Sequence, residues 1–359
     1  MSIALLSRLG EVGRIPRMSG ELDAAPSLNE RRCFILSSMT ASLPRSRSLR
    51  RVTAFLVSAA LAGAPSFAAT HSTAKAAPAQ SKELREDADW RVQRAKTLSA
   101  PDGWLTLVGL EWLKAGKNTV GLAADNSIQL KGHAPDHLGV IDVEGGQLKL
   151  LAPAGGFPKN LSVNGQPAQE GALQPDDSKP SILSTENLTM MVLHRGDRFA
   201  LRIKDSQSPT RLQFKGLHWY PLEAKYRITA KWIPFTPPHT AKIPTIIGTT
   251  LDMPAPGLAE FTLDGKTIQI EPVLESPDSK ELFFILRDAT SHTTTYESAR
   301  FLYAEFPDHG LDKPGTIVLD FNRLQNPPCA YTPYATCPLP PFENRLAVSI
   351  PAGEERYSH

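Results

Sequence analysis

Cysteine is scarce in this chain, with 3 in 359 residues, which excludes a disulfide-dense scaffold. Charge of one sign is lacking as well: 39 Lys and Arg stand against 37 Asp and Glu. The one basic cluster lies within the first 51 residues, so no electrostatic footprint for nucleic acid is present beyond it. The apolar run from Val52 to Ala64 has 13 residues, short of the roughly 20 that span a bilayer, and argues against an integral anchor. Phosphate-cradling glycine loops and the Gly-x-Ser-x-Gly nucleophile elbow are missing, and no motif implies a cofactor. What is abundant is proline, 31 residues, which is hard to place in long helices and suits short strands joined by turns. The length allows two domains.

Residues 39–70 read MTASLPRSRSLRRVTAFLVSAALAGAPSFAAT: a basic segment, an apolar run, then small residues at Ser66-Phe67-Ala68. This is the tripartite pattern of a secretory signal peptide. Cleavage is expected after Ala68, with Met1–Ser38 as an upstream extension, residues 69–80 as a linker and a periplasmic or secreted location for the mature chain. Removing residues 1–68 takes away nine arginines and four acidic residues, so 30 basic face 33 acidic residues and the apparent basicity disappears. Cys329 and Cys337 are the two cysteines beyond that point, and an even pair in an exported protein is a disulfide candidate. By loop entropy such a short bridge stabilises by roughly 2–3 kcal/mol.

Residues 81–98 have Ser81 as a possible N-cap and Leu84, Ala88, Val92, Ala95 and Leu98 at three-to-four spacing, which predicts one amphipathic helix. From 99 to 210 short apolar runs are punctuated by Gly145-Gly146, Asn164-Gly165 and Gly196-Asp197, the signals of hairpins in a β-sandwich. The order GKNTVGLAADNSIQL, PDHLG, SVNGQPA resembles a degenerate forkhead-associated sandwich. Leu122 stands where that family has an Arg, and no Ser precedes His137 in Pro135-Asp136-His137, so the phosphothreonine grip is in doubt and only the sandwich is carried over. Residues 217–359 predict a second antiparallel β domain, a barrel or a sandwich, with a hairpin at Asp264-Gly265. The fold class is therefore mainly β.

Strand alternation in FFILRD, RFLYAEF and IVLDFN puts Asp288, Arg300 and Asp320 each on a face shared with apolar neighbours. If the three strands pair consecutively, these residues share one rim as a charge-satisfied cluster. Tyr296, Asn322 and Asn326 would add hydrogen bonds, making the rim a candidate site for a small polar or envelope-derived ligand. A salt-bridge network that merely closes the domain is the alternative.

The stretch DFNRLQNPPCAYTPYATCPLPPFENRLAVSIPAGEE, with GWLTLVGLEWLKAGKNTVG and RDATSHTTTYESARFL, closely resembles the bacterial family known as domain of unknown function 1684. The resemblance covers essentially Leu84 to Arg356, with Phe342 where the family usually has Pro. It implies an exported β protein and no established activity.

Other chemistries compete. Cys329 or Cys337 could be a nucleophile activated by His292 or His309, and Asp288 or Asp320 could serve as the general base of a hydrolase. His133 and His137 have i,i+4 spacing, but Pro135 between them opposes the helix that zinc binding would use, so no metal is assigned. Trp104, Trp112, Trp219 and Trp232 could stack on a sugar or fill a core. A structural role, docking an envelope protein through the Pro-rich loop, is the third class.

Overall fold

The computed structural model describes residues 81–358, and all of them lie within one compact unit that spans residues 75–359. The expected leader, its cleavage site and the linker fall outside the described residues.

The chain enters through α1 (Lys82–Leu98), capped by Ser81, whose hydroxyl accepts from the Leu84 N–H. The span follows the periodicity, but the docked face does not: Val92 is 56% exposed, whereas Asp87 is fully buried. Asp87, Arg91, Arg94 and Leu98 lie one above another and carry the contact with the rest of the protein. A polar stripe serves as the docking face because each charged group meets a partner there.

Eleven strands follow: β1 (Leu107–Trp112), β2 (Gly116–Gly121), β3 (Ile128–Gln129), β4 (Gly139–Glu144), β5 (Gln147–Leu151) and β6 (Ser162–Val163). Then come β7 (Gln166–Pro167), β8 (Gly171–Leu173), β9 (Leu183–Thr185), β10 (Leu188–Arg195) and β11 (Arg198–Asp205). They form a six-stranded sheet, β1-β11-β10-β9-β6-β7, and a five-stranded sheet, β3-β2-β4-β5-β8. Val120, Ile141 and Leu150 from the second sheet meet Met190, Val192 and Leu201 from the first in a shared core. The hairpins sit at the expected dipeptides. Gly145-Gly146 joins β4 to β5 and Asn164-Gly165 joins β6 to β7, both residues of each pair having positive φ, as the two-residue turns of right-twisted hairpins require.

Beyond Arg227 come β12 (Arg227–Pro244), β13 (Thr250–Leu263), β14 (Lys266–Ile270), β15 (Glu281–Leu286), β16 (Arg300–Glu305) and β17 (Gly315–Asp320). They make an open antiparallel sheet, β14-β13-β12-β17, and a two-stranded ribbon, β15-β16. Among the described residues no sheet closes on itself, so the barrel considered for this region is not formed. The ribbon is buried on both sides, which explains its unbroken apolar text. Leu282, Phe284 and Leu286 point into one core with Trp232, Phe261 and Phe321, while Phe283 and Ile285 point into another with Ile243, Ala255 and Phe301.

The long β12–β13 pair is kept close by Gly257, which lies opposite Pro234. A methyl group at that position would stand 2.5 Å from the Ile233 carbonyl oxygen and 2.9 Å from the Pro234 Cα, both backbone atoms. Gly257→Ala is therefore expected to destabilise the protein by about 1–3 kcal/mol, read as a lower urea midpoint with an unchanged slope.

Candidate ligand site

The strand alternation places Asp288 and Arg300 together. Asp288 lies two residues past the end of β15, Arg300 opens β16, and their side chains form a 2.7 Å ion pair with 0% and 1% of the side chain exposed. Asp288 also accepts from the Thr290 N–H (2.8 Å), the Thr290 hydroxyl (2.6 Å) and the Ile350 N–H (3.3 Å). Arg300 donates onward to the carbonyls of Ile350 (2.9 Å) and Ala352. The pair thus clamps the C-terminal segment onto the ribbon.

Asp320 is elsewhere, because its strand pairs with β12 and not with the ribbon. It accepts from Arg227 at 2.5 Å and from the Asn322 N–H at 3.1 Å. Asn322 also exchanges hydrogen bonds with the backbone of Glu223. Across from Asp320 sits Asp87 of α1. Burial pushes the Asp87 carboxyl up, and the bond from Arg323 (2.7 Å) opposes that shift. Tyr296 is apart from both carboxylates, with its hydroxyl donating to the Cys329 carbonyl at 3.1 Å. Asn326 donates its N–H to Glu354 (2.8 Å) and its side-chain amide to the Glu355 carbonyl (2.8 Å).

Glu354, 1% exposed, collects three elements. Its carboxylate accepts from Arg94 Nε of α1 (2.9 Å), from the Tyr331 hydroxyl (2.6 Å) and from the Asn326 N–H (2.8 Å). The Pro-rich loop is pinned from its other side by its cysteines. Both are free thiols in this structure, with the Cys329 N–H donating to Cys337 Sγ at 3.2 Å. A hydrogen bond from Cys337 draws the Cys329 thiol down, while the same bond and burial push Cys337 up. Among the described residues no group of three or more His, Cys, Asp and Glu is arranged to hold a metal ion.

The loop so fixed walls a cavity of about 510 Å³ where the six-stranded sheet meets the ribbon and the start of β13. Phe283, Phe301 and Tyr303 form one wall, with the Phe283 ring stacked on Tyr303 and edge-on to Phe301, each at 4.8 Å between centroids. Leu251 and Met253 extend the apolar surface from β13. The lining also includes Trp104 and three arginines, Arg94, Arg195 and Arg202. Arg195 is held by Asp176 through two parallel bonds of 3.0 and 2.8 Å, and Arg94 by Glu354. Arg202 is 8% exposed, has no ion-pair partner, and its buried Nε has no hydrogen-bond acceptor. Its guanidinium lies 5.3 Å from the centre of the Trp104 ring. Burial, followed by the neighbouring Arg195, pushes its pKa down to about 10, which leaves it charged at neutral pH.

Of the rim candidates only Asn326 also lines this cavity. Arg202 was hidden in the run RFALRIKD, where the signal is a charge flanked by Leu201 and Ile203. Those two point into the N-terminal core, so alternation turns Arg202 toward the other half of the protein.

The fold is that of a mainly β protein with a cavity of small-molecule size between the six-stranded sheet and the ribbon. Residues 212–355 match the family described as "Protein of unknown function (DUF1684)", and the chain belongs to that family through this segment. An uncharacterized protein of Haloarcula marismortui with a solution NMR structure is 30% identical, over 40% of this chain and 78% of its own, with a TM-score of 0.35. No curated protein matches the chain.

Removing one partner of the Asp288–Arg300 pair strands a buried charge. Arg300→Ala is expected to lower stability by about 3–5 kcal/mol in urea unfolding, with part of the loss recovered in the Arg300→Ala/Asp288→Ala double variant.

Proposed function

We propose that the protein is an exported binding protein that holds a small molecule in the cavity between the six-stranded sheet and the ribbon. The observation that carries this reading is the cavity itself: about 510 Å³, an aromatic wall and convergent polar groups, the usual dimensions and lining of a ligand site. Binding is preferred to hydrolysis because both rim carboxylates are occupied by arginines, Asp288 by Arg300 and Asp320 by Arg227. The ligand site thereby moves from the rim, as expected from the sequence, to the cavity beside it. The N-terminal half acts in this reading as a forkhead-associated-like scaffold without the phosphothreonine grip, since Leu122 replaces the Arg.

Export is supported by the signal-peptide pattern ahead of Ala68, and it assigns Cys329 and Cys337 to an oxidising compartment in which the adjacent thiols form a disulfide. Protein recovered from the cell envelope without reductant is expected to take up alkylating reagent at neither cysteine, and at both after reduction. Immediate labelling of both in the unreduced protein would overturn the disulfide.

The site is tested by a thermal-shift screen of envelope metabolites against the full chain and against Met253→Trp, which puts an indole into the cavity. Ligands that stabilise the native protein by several degrees are expected to lose that effect in the variant. Shifts that survive Met253→Trp but vanish in Asp320→Asn would return the site to the rim.

A further inference from the structure

The lining of the cavity carries one positive charge that the protein does not answer. Arg94 and Arg195 each have their own buried or half-buried carboxylate, Glu354 and Asp176. Lys204, on the same strand face as Arg202, donates to the Asp102 carbonyl at 2.6 Å. Glu275, the acidic residue in the lining, is exposed to solvent and hydrogen-bonds with Tyr303. Arg202 alone is left, more than nine-tenths buried, with a ring beside it and no ion pair of its own; the carboxylate that acts on its charge, Asp176, is already bound by Arg195. Keeping a guanidinium charged and dry without a counter-ion costs several kcal/mol, and a fold that retains one beside a cavity has left its partner to come from outside.

Resting on the cavity reading above, we infer that the ligand is an organic monoanion, a carboxylate on a flat apolar body, whose head pairs with Arg202 and whose body lies against Phe283, Phe301 and Tyr303. The charge count sets the head: one uncompensated cation is neutralised by one negative charge, and the guanidinium fork matches the two oxygens of a carboxylate. The wall sets the body, because three packed aromatic rings line the same cavity as the arginine and favour a flat apolar group. Arg202 thus reads as the specificity-determining residue of the site.

Isothermal titration of the full chain with three probes of one shape tests this: 2-naphthoate, the neutral 2-naphthamide and the dianionic 2-naphthyl phosphate. Naphthoate is expected to bind tightest to the native protein, and Arg202→Gln to weaken it about 10- to 100-fold, the worth of a hydrogen-bonded charge pair. The same substitution should leave naphthamide unchanged, and Met253→Trp should abolish both. Arg202→Met, which keeps the length of the stem, provides the same comparison where Gln disturbs folding. If naphthamide equals naphthoate and neither responds to Arg202, the anion inference fails while the cavity reading stands. Phosphate binding more than tenfold tighter than naphthoate overturns the monoanion class. No binding of any probe, or binding indifferent to Met253→Trp, overturns the cavity reading and this inference with it.

Discussion

The carboxylate of Glu354 is the constraint from which the rest of the C-terminal architecture follows. It is removed from water, so its charge must be answered by the protein, and three donors converge on it, one from α1 and two from the proline-rich loop. The helix α1, a proline-rich loop and the C-terminal segment are thereby held in one geometry. Charge-assisted hydrogen bonds are short and directional, so they fix orientation as well as proximity. The loop has little regular structure of its own, short helical turns at Pro328–Ala330 and Phe342–Asn344, and borrows its shape in part from this carboxylate and from the contact between its two sulfur-bearing residues.

A second buried pair, Asp288 with Arg300, does for the ribbon what Glu354 does for the loop. The two networks attach the C-terminal segment to the ribbon 50 positions earlier, to the proline-rich loop 23 and 28 positions earlier, and to α1. The result is a fold in which the ends of the described chain act as fasteners. The polar docking face of α1 belongs to the same scheme: Asp87 meets Arg323, Arg91 meets the carbonyls of Tyr220 and Asn322, and Arg94 meets Glu354.

Sequence legibility tracks the range of the interactions. Hairpins at Gly145-Gly146 and Asn164-Gly165 were readable because their cause, a pair of residues with positive φ, is local. The span of α1 was readable from its cap and its period, but not the face it buries, since a polar stripe satisfied by distant residues is invisible to an apolar count. Asp288 and Arg300 could be paired because they flank a single ribbon. Asp320 could not be placed, since its partner Arg227 lies 93 positions away on a strand whose neighbours no short pattern specifies. The cavity is the extreme case, drawing residues from Arg94 to Pro338.

The family segment begins at residue 212, after Trp104, Arg195 and Arg202 and before the aromatic wall. The pocket is therefore split between the family segment, which supplies its aromatic wall, and the preceding residues, which supply its arginines and Trp104. If the cavity holds a ligand as proposed, two proteins that share the segment need not share that ligand: the part by which relatives are grouped would set what size and flatness of body can enter, and the part outside it which head group is accepted.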